Sequence, residues 1–180
     1  MPDELSKIRD AGGGTSRGNL AEWEVVLKIA EETKTLLEAE GIIVEILPAT
    51  VPTDYWADAF ISLHADGSLD TRVSGYKIAP YRRDKTAKAY ELSKIIERVY
   101  GEQTGFALDP NITRNMTGYY AFNWRRYDHA VHPMTPAVLV ETGFLTNYYD
   151  AQVLINHSEI PAKALADGIL EFLNLHVDID

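Results

Sequence analysis

The spacing of apolar positions changes several times along this chain, and each change marks an element. From Asn19 to Glu40, Val26, Ile29, Ala30, Thr33 and Leu37 recur at the 3.6-residue period of an amphipathic helix. Gly41 stands where such a helix ends. Asn19 is the expected N-cap, with Glu22 completing a capping box. Glu24 is expected to be a surface charge on another side of the helix. Ile42 to Leu47 reads as a strand stopped by Pro48, and residues 48–57 as a Pro-rich connection. Phe60, Ile61 and Leu63 then form a short apolar run that ends abruptly at His64-Ala65-Asp66. Ala137-Val138-Leu139-Val140 has the same form and ends on Glu141. Both runs look like buried strands of a parallel sheet. A further strand is expected over Gly75–Ala79, and helices over Asp84–Tyr100, Asp150–Asn156 and Ser158–Leu173. Residues 1–18 read as a polar loop, and 102–135 as a long aromatic and Arg-rich loop with at most one short helix.

Strands alternating with helices predict an α/β fold: a mostly parallel sheet with helices on both faces, in one domain spanning 1–180. Such sheets begin with a strand. Residues 1–18 supply none, so the N-terminal strand of the pattern is missing. Open α/β sheets bind ligands at the carboxyl edge, and that edge is where the two runs deliver His64 and Glu141. An imidazole and a carboxylate on adjacent strand ends suit metal-assisted hydrolysis.

Composition narrows the partners. The net charge of −10 argues against nucleic acid, because phosphate binding needs clustered Lys and Arg. The absence of cysteine excludes disulfides and a thiolate metal site. No apolar run approaches the roughly 20 residues of a membrane helix, and the first ten residues have no signal-peptide core. Gly12-Gly13-Gly14 does not make a phosphate loop, because no apolar strand precedes it and no Gly-Lys-Ser/Thr follows.

Phe60-Ile61-Ser62-Leu63-His64-Ala65-Asp66, the run Pro136 to Asn147 with Asp150 and Leu154 beyond it, and Glu22-Trp23-Glu24-Val25-Val26-Leu27 together resemble the amidase-3 family of N-acetylmuramoyl-L-alanine amidases. The resemblance covers about Asn19 to Leu173. It implies a zinc enzyme that cuts peptidoglycan between the lactyl group of N-acetylmuramic acid and L-alanine, working outside the cytoplasm. By the same resemblance Glu22 and His64 would be zinc ligands and Glu141 the catalytic carboxylate. The family's first ligand is a His in a Gly-rich turn, and Gly13 stands in its place. Either Gly13 replaces it, or the strand and the His lie upstream of Met1. Loss of the whole apolar run favours the second. On this donor set zinc binds weakly and activity is impaired. His129 and His132, an i, i+3 pair, are substitute ligands to consider, with a polar-loop role as the plainer reading. Glu22 as a cap partner, His64 as a hydrogen-bonded strand end and Glu141 paired to an Arg are the corresponding structural readings. Tyr119, Tyr120, Trp124 and Arg125 suit a sugar-peptide groove and ordinary positions equally. A peptidoglycan-binding pseudoamidase and a zinc carboxypeptidase-like peptidase are the competing functions.

Overall fold

Three strands carry the centre of the molecule, and their alternation decides what lies on each face. In the computed structural model, residues 2–6 and 14–176 are described. Gly13 therefore lies outside the described residues. The elements in chain order are a 3₁₀ turn (Asp3–Leu5), β1 (Ser16–Arg17), β2 (Leu20–Ala21), α1 (Glu22–Ala39), β3 (Phe60–Asp66), β4 (Lys77–Pro80), α2 (Lys88–Thr104), a 3₁₀ helix (Tyr120–Phe122), β5 (Ala137–Phe144), α3 (Tyr148–Asn156) and α4 (Glu159–His176). The central sheet has the order β3-β5-β4. β3 runs parallel to β5, and β4 runs antiparallel to it.

Side chains alternate across a strand, so one set faces each way. Ile61, Leu63, Ala65, Ile78, Val138 and Val140 join a core with Val25, Ile29, Ile96, Leu154, Leu165 and Phe172 of the helices. Phe60, Ala79, Tyr81, Ala137 and Leu139 join a second cluster with Val51, Ala121, Phe122 and Val131. The α/β class stands. Among the described residues, however, the sheet is mixed rather than mostly parallel, and its second face is covered by the 116–131 segment rather than by helices. The β3–β4 connection, residues 67–76, explains the mixture. A parallel return needs a dozen or more residues, usually a helix, and this connection is shorter.

Two local expectations change. Ser16–Arg17 pairs with Leu20–Ala21, which draws Asn19 into a hairpin turn. Ala21 becomes the N-cap of α1, and the Glu24 carboxylate, not Glu22, accepts its backbone N–H at 2.7 Å. Glu22 is thereby released to face the sheet. The expected strand at Ile42–Leu47 does not form: the segment lies in no regular element and pairs with no strand among the described residues. Between it and the outer edge of β3 lies a cavity of about 1170 Å³, lined by Ile42–Leu47 and Phe60–Leu63. A ladder needs a neighbour, and none stands there among the described residues.

Candidate active site

Glu22 opens α1, and that start brings its carboxylate to the end of β3. One oxygen of Glu22 meets His64 Nδ1 at 2.9 Å and accepts the Ala65 backbone N–H at 3.2 Å. The other accepts the Thr15 backbone N–H at 3.0 Å. His64 Nε2 lies 3.2 Å from the Ser62 hydroxyl, and its ring meets the Tyr119 ring edge-on at 5.0 Å. Ser62, His64 and Asp66 share the loop-covered face of β3 with Phe60. Glu141 shares that face of β5 with Ala137 and Leu139. His64 and Glu141 are register partners, so the two side chains stand on adjacent strands at one level.

The third strand adds a buried cation. Lys77 is the β4 partner of Glu141 and is only 8% exposed. Its ammonium is bonded to Asp66 and lies 3.3 Å from Asp109.

These charges move the proton equilibria. Burial pushes the Glu141 carboxyl up from 4.5 to about 7; His64 and Lys77 pull it down, while Asp66 and Glu22 push it further up. Burial alone would lower His64, but the Glu22 bond and the carboxylates of Glu141 and Asp66 raise it. Burial alone would raise Glu22, but His64 and the two backbone donors lower it.

A pH dependence of folding follows. The folded chain holds the Glu141 proton more tightly than the unfolded chain, so stability falls as pH rises from 4.5 to about 7. The gap corresponds to roughly 3 kcal/mol. His64 acts in the same direction: its contribution is present below 6.5 and is lost as pH rises through its higher folded value. Glu22 contributes above 4.5 and loses its contribution as pH falls through its lower folded value. Metal-free chain is therefore expected to be more stable near pH 5.5 than near pH 8, and Glu141→Gln should remove most of the difference. Urea titration at the two pH values checks this; equal stabilities would contradict it.

The N-acetylmuramoyl-L-alanine amidase family model matches residues 8–171. This chain belongs to that family. AmiA of Escherichia coli (strain K12) is 23% identical over 207 residues, covering 90% of this chain and 72% of AmiA. The probable cell wall amidase LytH of Staphylococcus epidermidis is 26% identical over 174 residues, covering 92% of this chain and 55% of LytH. In structure, the amidase Ami1 of Mycobacterium smegmatis superposes with a TM-score of 0.68 at 16% identity, covering 91% of this chain and 82% of Ami1. The CwlV catalytic domain from Bacillus (Paenibacillus) polymyxa var. colistinus gives 0.62 at 19% identity, covering 91% and 95%. At those identities the structural likeness concerns the fold.

The amidase's donor set can be tested against zinc from its own geometry. Glu22 and His64 offer an oxygen and a nitrogen on neighbouring backbones. A catalytic zinc takes three protein ligands. Among the described residues no group of three His, Cys, Asp or Glu side chains converges to hold a metal. The fit is thus two donors, one short. His129 and His132 do not supply the third. They lie outside any helix; His129 Nδ1 donates to the Val51 carbonyl at 2.8 Å, and the His132 ring packs on Trp56 at 4.5 Å.

The large cavity touches Glu22, Ser62, His64 and Tyr119, but Glu141 does not line it. Sequence reasoning missed two neighbours of this amidase's site, Ser62 and Lys77, which carrying the two-residue alternation back from His64 and across to the next strand could have found. Tyr119 was named only as one of several side chains equally suited to a groove or to ordinary positions; the fold of the 102–135 loop is what brings it to His64.

Proposed function

We propose that this amidase hydrolyses the amide between the lactyl group of N-acetylmuramic acid and L-alanine in peptidoglycan, outside the cytoplasm. Glu22 and His64 would hold zinc, and Glu141 would carry the proton. The observation that supports this reading most is the juxtaposition itself: Glu22 bonded to His64, and Glu141 level with His64 on the next strand. Zinc, when bound, polarises a carbonyl oxygen and acidifies water. Glu141, with a value of about 7 in the metal-free chain, can take a proton near neutrality and return it to the leaving amine. Tyr119 stands edge-on against the His64 ring and limits how it can turn. No helix of the described residues is long and apolar enough to cross a membrane.

The test is digestion of purified peptidoglycan with zinc present, followed by mass spectrometry. Stem peptides with a free L-alanine amine and muramic acid with a free lactyl carboxylate are expected. Release of C-terminal amino acids instead would favour the peptidase reading. Binding without any cleavage would favour the pseudoamidase.

The incomplete donor set carries its own expectation. Zinc titration by calorimetry should give a dissociation constant weaker than about 10⁻⁹ M, and His64→Ala should weaken it by at least about tenfold. A tighter site unaffected by His64→Ala would remove Glu22 and His64 from the ligand set.

A further inference from the structure

The chain carries an excess of acid, yet six of its cations gather at one place. Arg82, Arg83, Lys85, Arg114, Arg125 and Arg126 are all exposed. None has a carboxylate within 4.0 Å among the described residues, whereas Arg72 and Arg98 do. The carboxylate nearest in sequence, Asp84, accepts from the Thr86 hydroxyl and the Thr86 and Ala89 backbone N–H groups. Asp54 and Asp128 border the cluster, lining a cavity beside Trp124.

The cations form one surface. The Trp124 ring carries Lys85 Nζ at 4.5 Å and the Arg125 guanidinium at 5.1 Å. The Arg126 guanidinium lies 5.1 Å from the Tyr127 ring. The Arg82 backbone N–H donates to Thr117, and a Cβ added at Gly118 would lie 3.3 Å from Arg82 Nε and 3.1 Å from the Arg114 carbonyl. Tyr81 lies beneath: burial raises its hydroxyl, Arg83, Arg125 and Arg82 pull it back, and Asp84 adds a smaller push upward. The Tyr81 hydroxyl and Trp124 Nε1 are both buried and have no hydrogen-bond partner among the described residues.

We propose that this face binds a linear phosphate-bearing polyanion without bases, because the rings that could stack on bases are covered by the cations. Leaving so many cations close together with no carboxylate paired to any of them among the described residues raises their mutual repulsion, and an anion relieves it. Five of the six are Arg, whose planar fork matches phosphate bidentately. The cations are spread over a surface rather than converging on one point, which suits a repeating anion over a single ion. The interleaved rings hold the guanidinium and ammonium groups in place. The face lies away from Glu141: the Tyr81 backbone N–H donates to the Ala137 carbonyl, four residues and about 13 Å of strand from Glu141.

Inorganic polyphosphate is the probe, followed by fluorescence anisotropy with no zinc and no peptidoglycan present. Binding should weaken steeply with salt, and Arg83→Ala/Lys85→Ala/Arg125→Ala should lower affinity by at least about tenfold at low salt. The double variant Lys94→Ala/Arg98→Ala, on the outer face of α2, should bind as the unmodified chain does, and unchanged circular dichroism of the triple variant shows that it folds. Lys in place of the three residues' Arg members should restore less than full affinity. Absence of binding, equal binding by the triple variant, or preference for single-stranded DNA or for anionic phospholipid vesicles over polyphosphate would each overturn the proposal. None of these outcomes bears on amide hydrolysis.

Discussion

Glu141→Gln is expected to lower the rate of peptidoglycan amide hydrolysis by about 10²–10⁴-fold, the range for loss of a positioned general acid–base group. Gln keeps the shape of the side chain and removes only its ability to exchange a proton. Unfolding cannot produce the same result, because this substitution removes a carboxylate that burial already disfavours at neutral pH. The variant should be less active and, without metal, more stable near pH 8. That opposition separates a catalytic from a structural role. Zinc affinity should change little, since Glu22 and His64 are untouched. Rates measured on soluble muropeptide, with stability measured on the same preparation, make the comparison. A Glu141→Gln chain within about tenfold of the unmodified rate would remove Glu141 from the chemistry.

The fold was legible where short apolar runs meet polar residues. Phe60–Leu63 and Ala137–Val140 became β3 and β5 in register, and the period-2 pattern alone puts His64 and Glu141 on one face. Helix bodies were legible too, but their ends were not. Asp84 was expected to open the second helix; instead it caps from four residues before the start of Lys88–Thr104, and its carboxylate accepts the Ala89 N–H. The helix was expected to end at Tyr100, yet it runs on to Thr104 and is closed by Gly105 in the left-handed region. Ile42–Leu47 failed for a different reason. Its composition is that of a strand, and strand formation depends on a partner that composition cannot reveal. The net charge misled in the same way: an average of −10 conceals six cations that only the packing of 81–85 against 114–127 gathers together.

Glu22 shows how such errors interact. Reading it as a cap for Asn19 would have tied its carboxylate to the helix. The β1–β2 hairpin moved the cap to Ala21 and passed the capping bond to Glu24, and this shift turned Glu22 toward His64. The site therefore depends on a six-residue hairpin whose strands, Ser16-Arg17 and Leu20-Ala21, carry little strand signal of their own. Arg17 anchors it by donating to the Leu145 and Asn147 carbonyls.

Asp150→Ala is expected to cost about 3–5 kcal/mol, because three donors lose their acceptor at roughly 1–3 kcal/mol each. Asp150 is 1% exposed. One oxygen accepts from the Ser74 hydroxyl at 2.6 Å; the other accepts the Gly75 and Phe144 backbone N–H groups at 3.0 Å each. The two backbone donors cannot turn away once the carboxylate is gone. Gly75 is pressed against the Ala107 carbonyl, which also accepts the Tyr76 backbone N–H at 3.0 Å, so the turn is tethered on its other side. The network ties the entry to β4, the end of β5 and the first turn of α3 at one point. For a domain of this size the loss should lower the melting temperature by roughly 10 °C. Asp150→Asn keeps an acceptor for the backbone donors and an amide that can donate to Ser74, so it should cost about half as much. Thermal unfolding of both variants tests the account. An Asp150→Ala chain within about 1 kcal/mol of the unmodified protein would mean that water replaces the carboxylate, and that the knot is not what holds Glu141's strand against the Lys77 strand.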